Sequence, residues 1–127
     1  MLQFDHERLD AYAVAITFVA LANHVAQKLP RGRAYVADQL QRAAMSISLN
    51  LAEGAGEFSS KEKARFYRMA RRSGTECAAI LDICRELELV PDLAEPRELL
   101  VRVVSMLIKL GKSLERSGTG TGTLSAG

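Results

Sequence analysis

Strong chain breaks occur at only three places in this sequence, and their spacing limits the fold more than any other feature. They are Pro30 with Gly32, Gly54 with Gly56, and Val90-Pro91. Between them, apolar residues recur at three- and four-residue intervals, the period of a helix with one buried face. The remaining proline, Pro96, suits the first turn of a helix. Few prolines and clustered glycines favour long helices over many short strands. With 127 residues and 48% hydrophobic content, the chain can bury one core without disulfide or metal staples.

Four helical segments follow. The first is expected from Asp5, as N-cap, to Lys28. It carries two apolar stripes: Leu9, Tyr12, Ile16, Val19 and Ala26 (with Asn23 among them), and Ala11, Val14, Phe18, Leu21 and Val25. A helix apolar nearly all round is central in its bundle or buried between copies. The second is expected from Ala34 to Glu53, with Leu40, Ala43, Ala44, Ile47 and Leu51 inward. Gln39, Arg42, Ser46, Asn50 and Glu53 form a polar stripe beside them, and Gly54 stands where a left-handed C-cap is expected. Ser59 and Glu62 have the spacing of a capping box, opening a third helix to Leu89. Its expected core stripe is Phe66, Met69, Ala70, Ser73, Cys77, Ile80, Leu81, Cys84 and Leu87. The fourth helix is expected from Pro96 to Arg116.

Short connections between four helices predict an all-α, antiparallel up-down four-helix bundle over residues 1–116. Residues 117–127, rich in Gly, Thr and Ser, are expected to be a flexible tail. Counting outward from the turn between helices two and three places Glu53 near Lys61 and Arg65, and predicts an Arg42–Glu76 contact.

Several kinds of chemistry find no support in the residues. His6 and His24 are isolated and lie outside metal-ligand spacings, so neither a metal nor a cofactor is expected. No nucleophile–base spacing or phosphate-binding loop appears, so no catalytic residue is proposed. Cys77 and Cys84, seven apart, share a helix face and read as small buried hydrophobes. Asp5 and Glu7 stand where a signal peptide would be basic, and the longest uncharged run, Ala11 to Asn23, is too short to span a membrane. A reduced cytoplasmic setting is expected.

Charge is segregated along helix three. Lys61 to Arg72 holds six cations and one anion, whereas Ala78 to Glu98 holds six acids and two bases. The cations are Lys61, Lys63, Arg65, Arg68, Arg71 and Arg72. Lys61, Arg65, Arg68 and Arg72 share one helix face, so they form either a solvated surface or a line of phosphate contacts. Tyr67 is the one ring in the run placed to stack a base, while Phe66 reads as core.

The block Ser46-Ile47-Ser48-Leu49-Asn50-Leu51-Ala52-Glu53-Gly54-Ala55-Gly56 is distinctive. Phe58-Ser59, Arg65-Phe66, Ala70-Arg71-Arg72-Ser73 and Glu76 follow it, and Leu29-Pro30, Tyr35, Gln39-Leu40 and Arg42-Ala43 precede it. Over roughly Asp10 to Leu114 this resembles the four-helix-bundle family of 23S rRNA intervening-sequence proteins, itself similar to the accessory variability determinant of diversity-generating retroelements. The resemblance implies bacterial origin, assembly into a homopentameric ring, and no known enzyme activity. On their own chemistry, Arg42, Ser46, Asn50, Glu53, Gly54, Gly56, Ser59 and Glu76 read as a structural motif. Asn50 is expected to bond across the hairpin, and Glu53 to hold the glycine turn or pair with Lys61, in preference to a ligand or catalytic pair. Glu57 stands where the family often has a basic residue, and Arg72 where it often has glycine.

Two functions are therefore expected. One is a non-enzymatic homo-oligomer binding RNA or DNA through the basic face of helix three. The other is a protein–protein adaptor ring without a nucleic-acid role.

Overall fold

The computed structural model describes the backbone of residues 4–126 and the side chains of residues 4–116. Among these residues there is no strand. A one-turn 3₁₀ helix (Asp5–Arg8) precedes α1 (Asp10–Lys28), α2 (Ala34–Ala55), α3 (Ser60–Glu86) and α4 (Ala94–Ala126). Each helix packs on the next in the chain, and α4 closes back on α1, forming an all-α four-helix bundle.

The first expected helix is two elements. The Phe4 amide donates to Glu7 Oε1 at 2.9 Å, which closes the 3₁₀ turn without Asp5 as a cap. Leu9 is then extended (φ −90°, ψ 122°) and packs against the core before α1 begins. Of the two apolar stripes, the one through Ala11, Val14, Phe18 and Val25 is buried, together with Ala15 and Ala22. The other is only partly covered, and Ile16 is 45% exposed.

Gly54 lies inside α2, not after it. The C-cap is Gly56, with a right-handed φ of −82°, so no left-handed glycine ends this helix. Gly54 is needed for close approach instead: a Cβ there would stand 2.7 Å from the Tyr67 ring of α3. Gly74 plays the same part between α3 and α4, where a Cβ would meet Val104 Cγ2 at 2.8 Å.

α3 stops at Glu86, short of the expected Leu89. The Leu89 N–H donates to Cys84 O at 2.8 Å and the Glu88 N–H to Arg85 O at 3.0 Å. This is a Schellman end, with Glu88 in the left-handed position (φ 51°). α4 then starts with Asp92 Oδ1 accepting the Ala94 N–H at 3.0 Å, and Pro96 falls in its first turn. It continues to Ala126, past the end expected at Arg116, since glycine weakens a helix without breaking it as proline does. The flexible tail expected at 117–127 lies outside the described side chains.

Phe18, Leu40, Ile47, Leu51, Cys77, Cys84 and Val103 are the largest fully buried side chains. Cys77 and Cys84 are free thiols within this core. Burial, then the charge of Glu76, pushes the Cys77 thiol up to about 12, and burial raises Cys84 as well. Both therefore stay protonated and unreactive near neutral pH. No helix among the described residues is long and apolar enough to cross a membrane.

Candidate nucleic-acid interface

The basic face begins where α3 begins. Ser59 caps the helix, its Oγ accepting the Glu62 N–H at 3.0 Å. The reciprocal half of the expected capping box is missing. Glu62 turns its carboxylate to Arg65 Nε at 2.7 Å, because a charged donor attracts it more strongly than the Ser59 amide.

Arg65 is the most constrained of the cations. Its guanidinium lies 4.5 Å from the centre of the Phe66 ring, and Nη1 stands 3.9 Å from Met69 Sδ. The hydrogen bond and charge of Glu62, with a further contribution from Glu57, raise its pKa. The neighbour expected for Arg65, Glu53, is exposed and pairs with neither Arg65 nor Lys61.

Lys63 stands apart from the other five cations. Its Nζ reaches back across the turn to Ala55 O at 2.9 Å and Gly54 O at 3.4 Å. It thus neutralises the carbonyl end of α2, where the helix dipole favours a cation. Lys61, Arg68, Arg71 and Arg72 are exposed. Among the described residues, none of these four has a carboxylate within 4 Å; the ion pairs are Glu62–Arg65, Asp82–Arg85 and Asp82–Arg97.

The two rings in the run exchange their expected places. Tyr67 is buried, at 5% exposure, and Phe66 is partly exposed beneath Arg65. The seam of α3 runs through Tyr67, Ala70, Gly74, Cys77, Ile80, Leu81 and Cys84; five of these were expected, and Tyr67 and Gly74 stand one position from the expected Phe66 and Ser73. Met69 and Leu87 consequently fall outside the core. Tyr67 therefore has no exposed face on which a base could stack, and burial raises its pKa. The signal for this seam was in the glycines, since Gly54 makes room for the ring of Tyr67.

The polar stripe of α2 also bonds differently from expectation. Asn50 Nδ2 donates along its own helix, to Ser46 O at 2.9 Å and Ser46 Oγ at 3.0 Å. The link across the hairpin is Ser73 Oγ to Ser46 Oγ, at 2.8 Å. Arg42 and Glu76 form no ion pair, and both are exposed. Their positions are near in register, but two long solvated side chains gain little from meeting there.

The geometry thus separates two groups. Ser46, Gly54, Gly56, Ser59, Lys63 and Ser73 shape and link the α2–α3 hairpin, and Asn50 bonds within α2 beside them. Lys61, Arg65, Arg68, Arg71 and Arg72 are left on its outer surface.

No curated protein matches this chain. The family described as 23S rRNA-intervening sequence protein matches residues 7–109, a span that includes all of α1 to α3 and enters α4. With that span and a four-helix all-α fold together, the chain belongs to the family of 23S rRNA-intervening sequence proteins.

Proposed function

We propose that this protein is a non-enzymatic homo-oligomeric bundle that associates with nucleic acid, RNA in particular, through the exposed cations of α3. The observation that carries this reading is that Lys61, Arg68, Arg71 and Arg72 have no ion-pair partner among the described residues. Their charge faces solvent and is available to phosphates. With Tyr67 buried, the contacts are to the backbone and carry little sequence preference. The family's description as a 23S rRNA-intervening sequence protein is compatible with this reading, and a cytoplasmic location is part of the proposal.

The bundle proposed is antiparallel and up-down. Support comes from the order of contacts: Ser46 with Ser73, Gly54 with Tyr67, and Asp82 with Arg97 each pair residues in reverse chain order. A homopentameric ring would repeat the cation band five times, so a modest patch becomes a strong field. The exposed apolar side chains Ile16, Met45, Leu49 and Val101 supply surface for such assembly.

A second reading, an adaptor ring that binds a protein, is favoured by Phe58, which is fully exposed at the α2–α3 turn. Fluorescence anisotropy with labelled structured RNA and duplex DNA, at low and near-physiological salt, separates the two. Nucleic-acid binding predicts micromolar or tighter affinity that weakens steeply with salt. Absence of binding at low salt favours the adaptor.

A further inference from the structure

The cations of α3 are not confined to its crest. Arg68 and Arg71 lie on the flank turned toward α4, and between the two helices there is a groove of about 220 Å³. Its α3 wall holds Ala64, Tyr67, Arg68 and Arg71, and its α4 wall includes Ile108, Gly111, Lys112 and Glu115. We infer that this groove seats the phosphodiester backbone of a nucleic acid, with Arg68 and Arg71 on one side and Lys112 on the other. The inference rests on the nucleic-acid reading above and adds to it a defined seat and a second helix.

Three observations support this seat over the crest of α3. First, cations converge on one concavity from two helices, and none has a carboxylate within 4 Å among the described residues. A concave wall holds a phosphate on more than one side, whereas a convex crest contacts it from one. Glu115 is the single acid of the groove, so three cations leave a net positive charge.

Second, Gly111 opens the α4 wall. A Cβ placed there would meet nothing within 4 Å. The helix backbone is therefore bare toward the groove, unlike at Gly54 and Gly74, where packing requires the missing side chain. Third, Tyr67 lines the groove while its ring is buried. Its hydroxyl makes no side-chain hydrogen bond, and no buried polar side-chain atom lacks a partner among the described residues. The hydroxyl therefore touches solvent and is not engaged by another side chain, so the tyrosine of this wall keeps a free donor.

Gly111, Lys112 and Glu115 lie beyond the matched span of residues 7–109, while Ile108 of the same wall lies within it. Lys109, one turn from Lys112, lines a different cleft with Arg8, Asp10 and Arg116. It provides a control of identical charge on the same helix.

The test compares the full chain with Lys112→Glu, Lys109→Glu, Gly111→Leu and Arg72→Glu. Anisotropy with labelled RNA and with duplex DNA is recorded across a salt series, and circular dichroism melts establish that each variant is folded. Lys112→Glu is expected to weaken binding at least tenfold at low salt and to reduce the salt slope by about one. Lys109→Glu is expected to weaken it by less than threefold. Gly111→Leu changes no charge, adds a side chain where a Cβ meets nothing within 4 Å, and is expected to weaken binding about fivefold or more. Equal losses from Lys112→Glu and Lys109→Glu would leave only overall charge and overturn the groove. Full affinity in Gly111→Leu and Lys112→Glu with loss in Arg72→Glu, which lies outside the groove, would place the nucleic acid on the crest, overturning the groove while sparing the proposed function. Failure of the unaltered chain to bind RNA or DNA at low salt would remove both.

Discussion

The ring of Tyr67 lies so close to Gly54 that a Cβ on Gly54 would stand 2.7 Å from Tyr67 Cε1. This contact sets the approach of α2 to α3. On helix propensity alone, Gly54→Ala should stabilise α2 by about 1 kcal/mol. The clash has the opposite sign, since overpacking a buried contact costs about 1–3 kcal/mol. A net loss of stability is expected, seen as a lower urea midpoint. Adding Tyr67→Leu should recover part of it, because the flexible side chain can yield to the new methyl. Stabilisation by Gly54→Ala alone would mean that the helices part at no cost.

Glu88 offers the reverse case. It holds a left-handed φ of 51° at the end of α3, where the two Schellman bonds require that conformation. A side chain at such a position costs about 1 kcal/mol relative to glycine. Glu88→Gly should therefore raise stability by somewhat under that amount, since glycine also enlarges the freedom of the unfolded chain. Thermal melting should show an increase of a few degrees.

The hairpin link can be tested by coupling. Ser46→Ala and Ser73→Ala remove the two ends of one hydrogen bond, so their effects should be non-additive by about 0.5–1 kcal/mol. Arg42→Ala and Glu76→Ala should add within about 0.5 kcal/mol, because no ion pair joins them.

These cases also show which parts of the structure were legible in the sequence. Four helices follow from the breaks at Pro30, Gly56 and Pro91, which act locally. Tyr67 and Phe66 exchanged roles because helix periodicity leaves a one-position ambiguity, and that ambiguity is resolved only by what packs opposite. Gly54 resembles a C-cap until its partner ring is known. The end of α3 was misplaced because Glu88 occupies a position usually marked by glycine. At the candidate site, the cations were plain in the chain from Lys61 to Arg72. The groove was not, since it depends on how α3 faces α4, and no residue pattern within α3 specifies Lys112 as a neighbour.

The two thiols give the chain a pH dependence of known sign. Cys77 moves from its ordinary 9.0 to about 12 in the fold, and Cys84 moves upward too. The folded state then holds protons that the unfolded chain releases. The associated stability is complete below about pH 9, the ordinary thiol value, and declines as pH rises toward 12. Urea midpoints should fall between about pH 9 and 11, and the fall should be smaller in Cys77→Ala, whose midpoint is lower overall because the side chain is fully buried. A thiol reagent at pH 8 should label neither cysteine until the protein is unfolded.

Lys61 and Lys63 are two residues apart and should respond oppositely to mutation. Lys63 Nζ is committed to the carbonyls of Gly54 and Ala55. Lys63→Ala removes the cation that satisfies the end of α2, so it should cost about 1 kcal/mol of stability. Its effect on RNA affinity should stay within about twofold, because its charge is already spent inside the hairpin. Lys61 is exposed and unpaired, so Lys61→Ala should change stability by less than about 0.5 kcal/mol. If the cation band binds RNA, that substitution should weaken binding and reduce the salt slope by about one. Chemical denaturation and anisotropy on the same two variants test the division directly. Equal loss of affinity in both would mean that Lys63 leaves the hairpin when RNA binds, and that all six cations of α3 form one interface.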